Sequence, residues 1–253
     1  MVAAFALLAS GCSQPADNAG GSPGGSGNQP VFTYAMSGAF RPFNYYDVNN
    51  QLTGFDVEIG KALAQKMGME PKPIATPWQG LINGLKSNRY DAIIGSMAIT
   101  DDRLKEVDFS DPYYITGGQV FVKKGSPIRS VDDLTKDTKI GVTISTTYET
   151  RARQFSSNIY TYDSDITALR DLDNGRLDAV ITDRFVGEQA IKESGLNIEP
   201  VGGLLFEEKA GIAVRKGDSQ LLEKINKALK AIKDDGTYLQ ISQKYFGRDI
   251  SKP

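Results

Sequence analysis

Histidine is missing from all 253 residues, cysteine and tryptophan occur once each, and 29 basic residues stand against 31 acidic ones with no Lys/Arg-rich run. Without histidine the chain can build neither a Ser-His-Asp triad nor a Cys-His pair, and the lone Cys12 cannot make a cysteine-based metal site. No metal and no cofactor is expected. A formal net charge of −2 argues against nucleic acid or an anionic membrane surface as the main partner, because both demand a basic patch. A small ligand remains the expected partner. What is present is an ordinary globular balance, 40% hydrophobic and 24% charged, with enough apolar material for a packed core. The length allows one large α/β domain or two lobes, so the order of elements must decide.

Residues 1–11 form an apolar run ending Leu8-Ala9-Ser10-Gly11 before Cys12, too short to cross a bilayer as a helix. The run resembles a bacterial lipoprotein signal, which would make 1–12 the signal and Cys12 the lipidation site. Ala9 stands where a larger aliphatic is usual, and no Lys or Arg precedes the run. The plainer alternative is a buried cysteine beside an apolar strand. Residues 13–30 are rich in Gly, Ser, Pro and Asn and read as a flexible tether. A lipidated Cys12 leaves a body without thiols, whose stability rests on packing alone.

From Val31 short β-like runs alternate with amphipathic stretches, the pattern of an α/β fold. Val31–Met36, Asp91–Gly95, Gln119–Lys123, Lys139–Val142, Asp178–Thr182 and Gly211–Arg215 read as strands. Helices are predicted over Phe55–Met67, Trp78–Lys86, Thr147–Phe155, Ile166–Asp173, Phe185–Glu193, Leu221–Ile232 and Tyr238–Tyr245. Ser130–Asp133 and Thr146–Glu149 each match a capping box. Leu85-Lys-Ser-Asn-Arg-Tyr-Asp91-Ala-Ile-Ile and Leu172-Asp-Asn-Gly-Arg-Leu-Asp178-Ala-Val-Ile echo each other, so each half owns a similar βα unit. Two β-like crossings imply a two-strand hinge, with lobe 1 over 31–117 and 213–253 and lobe 2 over 118–212. A cleft between lobes is the natural ligand site.

Phe40-Arg-Pro-Phe43, Gly54-Phe55-Asp56-Val57-Glu58, Ser96-Met-Ala-Ile-Thr100-Asp-Asp-Arg103 and Val107-Asp-Phe-Ser-Asp-Pro-Tyr113 follow one another in order. The likeness continues through Gly141–Glu149, Arg176–Asp183 and Asp235-Gly-Thr-Tyr238 to Tyr245-Phe-Gly247. The ordered set resembles the polar amino-acid-binding solute-binding proteins of ABC transporters. The resemblance implies a type II periplasmic-binding-protein fold, in which each lobe is a sheet flanked by helices.

An amino acid presents a carboxylate and an ammonium a few ångströms apart, so its site needs a forked cation and an anion on rigid elements. Arg103, in the first turn of a helix starting at Thr100-Asp101-Asp102, is the implied carboxylate clamp; a surface pair with Asp101 or Glu106 is the plainer reading. Asp183, at the carboxyl end of a strand, is the implied ammonium partner, or only the N-cap of the helix from Phe185. Thr146 and Thr147 open a helix whose amides favour a carboxylate, although such a start is more often a cap alone. Ser96 and Ala98 belong to a segment that the resemblance assigns to ligand binding, with Ala98 replacing the commoner hydroxyl. Phe40 and Trp78 align with aromatic walls, their alternative being core packing. Gly54-Phe55-Asp56 reads as structural.

Ser37 stands where members that bind cationic side chains often carry an acid, and Thr147-Tyr-Glu149, Thr161-Tyr-Asp163, Asp183-Arg184 and Phe246-Gly-Arg-Asp-Ile250 are similar to the cystine-binding branch. The expected ligand is cystine or a neutral polar amino acid, with glutamate as a rival if Arg41 or Arg184 faces the site. Ligand would close the lobes and an ABC permease would read the closed shape. The expected protein is a monomer outside the cytoplasm, anchored in the membrane by lipid, and not an enzyme. An enzyme on the same scaffold, such as a cyclohexadienyl dehydratase, needs a cleft acid or base, for which Glu149 is the candidate. A ligand-sensing domain of a receptor needs a membrane span or signalling domain beyond Pro253.

Overall fold

A computed structural model describes residues 29–252, so the expected lipid anchor at Cys12 and nearly all of the 13–30 tether lie outside the described residues. Strands and helices alternate along the chain, and nine strands join into one sheet. Across that sheet the order is Ile159–Tyr162, Ile140–Thr143, Ala179–Asp183, Tyr114–Lys123, Ile198–Arg215, Ala92–Ala98, Val31–Met36 and Glu70–Ala75, while Val107–Phe109 also pairs with Ile198–Arg215. Within each half the neighbours that flank a helical crossover are parallel, as such connections require.

Two antiparallel strands of 10 and 18 residues join the halves. Their ladder runs from Ile198 opposite Lys123 to Ala210 opposite Tyr114, broken by an irregular stretch between Val201 and Phe206. At Ala210 the return strand already pairs with Ala98 of the first half, while Gln119–Phe121 pair with the second half. The two crossings are therefore the expected two-strand hinge, and the fold is two lobes with a cleft between them.

The helices form where an apolar stripe has a sheet to cover. Phe55–Lys66 buries Phe55, Ile59, Ala62 and Leu63, the spacing of one helical face. Gly54 precedes it at φ 122°, where a Cβ would come within 2.3 Å of the Phe43 carbonyl oxygen, so no other residue fits without moving backbone. Ser219–Asp234 buries Ile225, Ala228, Leu229 and Ile232. Lys66 to Asp235 at 2.6 Å and the Tyr245 hydroxyl to Glu58 at 2.6 Å tie the C-terminal helices back to the first lobe. Phe43, Phe55, Tyr113, Tyr114 and Tyr238 form a buried aromatic core, with Phe43 and Tyr114 stacked at 4.9 Å.

Some boundaries differ from expectation for identifiable reasons. Trp78–Lys86 is not one helix: Trp78–Gly80 is a 3-10 turn and Leu81–Lys86 the α-helix, the break falling at Gly80 after the Pro77 start. Glu70–Ala75 is a strand despite Pro71 and Pro73, because it is the sheet's outer strand and needs a ladder on one side only. A small sheet of Ala39–Phe40, Asn44–Tyr46 and Leu52–Thr53 carries the Phe40 segment. Among the described residues no helix is long and apolar enough to cross a membrane.

Candidate ligand-binding cleft

Ser37, Phe40, Trp78, Ser96, Ala98, Arg103, Thr146 and Thr147 all line one cavity between the lobes. Asp183 does not. It is fully buried one layer behind the wall, where its Oδ1 accepts from the Phe185 amide at 2.7 Å and its Oδ2 from the Thr116 hydroxyl at 2.6 Å. The Tyr148 hydroxyl, at 3.4 Å, links Asp183 to the cavity, since Tyr148 is itself a wall residue. Burial pushes the Asp183 pKa up to about 7 against the hydrogen bonds that lower it.

Thr100 caps the helix Asp101–Glu106 by accepting from the Arg103 amide, and this fixes Arg103 in its first turn. The guanidinium donates to the Ala98 carbonyl at 2.9 Å and lies 5.3 Å from the Trp78 ring. Burial lowers its pKa, and the nearby Glu208 opposes that shift. On the facing lobe Thr146 caps Thr147–Phe155, accepting from the Glu149 amide at 3.2 Å and donating to the Thr143 carbonyl at 2.6 Å. The first-turn amides of that helix have no intrahelical partner, as at any helix start. The capping box expected there is only half formed, because Glu149 accepts from the Ser145 amide instead of the Thr146 amide, Ser145 being left-handed at φ 60°. Glu149 also pairs with Arg153 at 2.6 Å. Its carboxylate is thus committed to the helix end and is not a loose cleft acid.

Ser96 is the second left-handed residue of the cleft, at φ 58° in the middle of a strand. Such a conformation costs ~1–3 kcal/mol and survives only where neighbours hold it. Here the holder is Asp56, fully buried, which accepts from Ser96 Oγ at 2.9 Å, Tyr113 at 2.7 Å and Asn44 at 2.7 Å. Asn44 in turn accepts from Ser37 Oγ at 2.9 Å. The hydroxyl protons of Ser37 and Ser96 therefore point into this network, which leaves oxygen lone pairs and the Ser96 carbonyl as what they can offer a ligand. Asp56 is structural, as expected, but as the anchor of two cleft residues.

Five polar wall groups were not predicted: Thr143, Tyr148, Asp163, Asp165 and Glu208. Burial raises the pKa of Glu208 and of Asp165. Thr143 Oγ1 is buried with no close hydrogen-bond partner, but it lies near enough to the Asp165 carboxylate to oppose the rise in that group's pKa. Glu208 had a signal in the sequence: in Phe206–Ile212 the even positions turn inward, while Glu207 and Lys209 are exposed. Phe40 and Trp78, both half-buried, face the cavity as its aromatic walls. The Trp78 Nε1 donates to the Ser145 carbonyl at 3.1 Å, a bond from one lobe to the other. Arg41 and Arg184 do not line this cavity; Arg41 pairs with Glu193 at 2.8 Å and Arg184 lies over the Phe185 ring at 4.5 Å.

The chain from 32 to 248 matches the family model of the bacterial extracellular solute-binding proteins, family 3. The chain belongs to that family. The L-cystine-binding protein TcyJ of Escherichia coli (strain K12) is 38% identical over 221 residues, 86% of this chain and 83% of the relative. An ancestral arginine-binding protein bound to glutamine superposes with a TM-score of 0.82 at 39% identity, covering 87% of this chain and 99% of that one. The ancestral amino acid-binding protein AncCDT-1, a precursor of cyclohexadienyl dehydratase, superposes with a TM-score of 0.80 at 36% identity, over 85% and 95%. The fold is thus the type II two-lobed fold of family 3, and the chain is a solute-binding protein of that family.

Proposed function

We propose that this family 3 protein captures a polar L-amino acid, L-cystine first among the candidates, and hands it to an ABC permease. The observation that carries the reading is the Arg103 guanidinium facing the start of the Thr147–Phe155 helix across a cavity walled by Phe40 and Trp78. The α-carboxylate would lie between that guanidinium and the helix amides. The ammonium would face Asp165 and Glu208, with Asp183 adding its charge from behind the wall, while Ser37 and the Ser96–Ala98 segment supply acceptors. The aromatic faces would exclude water and strengthen both charge pairs.

The wall charges favour cystine over glutamate. Asp163, Asp165 and Glu208 line the cavity against the single cation Arg103, so a second ammonium is welcome and a second unpaired carboxylate is not. Neither Arg41 nor Arg184, the groups that would have welcomed glutamate, lines the cavity beside Arg103. The 38% identity to a cystine-binding relative supports the same reading. We take the lobes as 31–117 with 213–253 and as 118–212, the protein as a monomer, and Cys12 as the lipid anchor that keeps it at the outer side of a membrane.

A thermal-shift screen of the unfolded and refolded chain against the common L-amino acids and L-cystine tests the function. One or a few ligands should raise the melting temperature, since they bind only the native state. No shift with any of them would refute the amino-acid reading.

A further inference from the structure

A second cavity opens from the cleft, and Arg103 is not among its walls. Ala39 and Asp165 line both spaces, so the two adjoin. Arg41, Tyr45, Arg170 and Glu193 are among its other walls. Arg41 and Glu193 come from different lobes and meet at 2.8 Å, with the Arg41 guanidinium 4.2 Å from the Tyr45 ring. Arg170 stands on the helix Asp165–Asp173 and makes no ion pair among the described residues.

Arg103 is shared between the cleft and a different groove, not with this cavity. A ligand whose carboxylate sits on Arg103 therefore sends its far end toward Ala39 and Asp165. We propose that the adjoining cavity receives the second amino-acid head of a double-headed ligand. Arg170 and Arg41 take the distal carboxylate, and Asp165 and Glu193 face the distal ammonium. The assignment rests on the amino-acid reading and narrows it to ligands with two zwitterionic ends joined by a short thioether or disulfide stem.

The physical reason is desolvation. A zwitterionic head leaves water only if both charges find partners, and this cavity offers two cations and two carboxylates for that purpose. An apolar or amide side chain would leave Arg170 without a partner there, while Arg41 and Glu193 would pair only with each other. Arg41 belongs to the first lobe and Arg170 to the second, so a distal carboxylate held by both also adds a contact available only when the lobes meet.

The test is titration calorimetry of the full chain, refolded free of carried-over ligand, with L-cystine, L-cystathionine and S-methyl-L-cysteine. Both double-headed ligands should bind about tenfold or more tighter than S-methyl-L-cysteine, the difference expected of one charge-assisted contact. Arg170→Gln, an exposed substitution that leaves the fold intact, should remove about tenfold of that advantage while S-methyl-L-cysteine binds unchanged. Equal affinity for one-headed and two-headed ligands would overturn the proposal, as would an Arg170→Gln effect on neither or on both alike. Tight binding of other single-headed amino acids with no binding of L-cystine sinks the proposal and leaves the amino-acid reading standing. No binding of any L-amino acid sinks both.

Discussion

Asp183→Asn should make the ligand-free protein more stable at alkaline pH and worse at binding. Asp183 is fully buried, and burial pushes its pKa from the ordinary carboxylate range up to about 7. The folded state therefore holds a proton over a range where the unfolded chain has released it. Stability from this group is present below pH ~4, falls as pH rises toward 7, and is flat above. Three pH units at about 1.4 kcal/mol each give a penalty of roughly 4 kcal/mol for the ionised group at pH 8. Asparagine keeps the shape and the acceptor for the Phe185 amide, and it has no charge to bury. Its amide nitrogen would, however, face the Thr116 hydroxyl, which now donates at 2.6 Å and would have to turn and accept. Allowing ~1–2 kcal/mol for that rearrangement, the gain at pH 8 is about 2 kcal/mol. At pH 5, where the wild-type carboxyl is protonated, the gain should vanish. Asp56, raised to about 6 by burial, titrates in both proteins, so the difference between them isolates Asp183. Urea unfolding at the two pH values measures it. Amino-acid affinity should fall by about 2 kcal/mol, some thirtyfold, as the ammonium loses a charge. A variant no more stable than wild type at pH 8, or one that binds unchanged, would refute the reasoning.

Binding should also be coupled to protons: at pH 6.5 an incoming ammonium favours ionised Asp183, so protons are released and the calorimetric enthalpy should vary with the buffer's ionisation enthalpy. Buffer-independent heats would contradict this. Trp78→Phe keeps an aromatic wall but loses the bond to the Ser145 carbonyl; affinity should fall by ~0.5–1.5 kcal/mol in calorimetry, because only the closed state makes that bond. Gly187→Ala should destabilise the chain by at least ~2 kcal/mol in urea unfolding, since a Cβ there would sit 1.9 Å from the Phe121 ring.

Most of the architecture was readable because helix and strand periods survive in single segments. Thr147–Phe155 was predicted to the residue, since its polar cap and apolar period agree. Glu70–Ala75 was hidden by two prolines that an outer strand tolerates. The full reach of Ile198–Arg215 was hidden because a hinge strand changes partners and exposes both faces midway. In the site, residues that follow strands or open helices could be named from the sequence. Asp165 opens a helix too, but its place in the wall depends on Thr182, from which it accepts, and the inward alternation at Glu208 gains its meaning only from Thr116 opposite it across the hinge. Asp183 was correctly located as a helix cap, but no sequence pattern tells whether a carboxylate stands in a cavity wall or one layer behind it.

Arg103 is where the account is most exposed. Its guanidinium makes one 2.9 Å bond to the Ala98 carbonyl and a 5.3 Å approach to Trp78, so Arg103→Ala should leave the fold intact. The decisive measurement is titration calorimetry of ligand-stripped wild type and Arg103→Ala with whichever L-amino acid shifts the melting temperature most. Binding by the wild type and no measurable heat with the variant is the predicted result. Micromolar binding retained by a folded Arg103→Ala protein would contradict the claim that this cleft holds its ligand by the carboxylate.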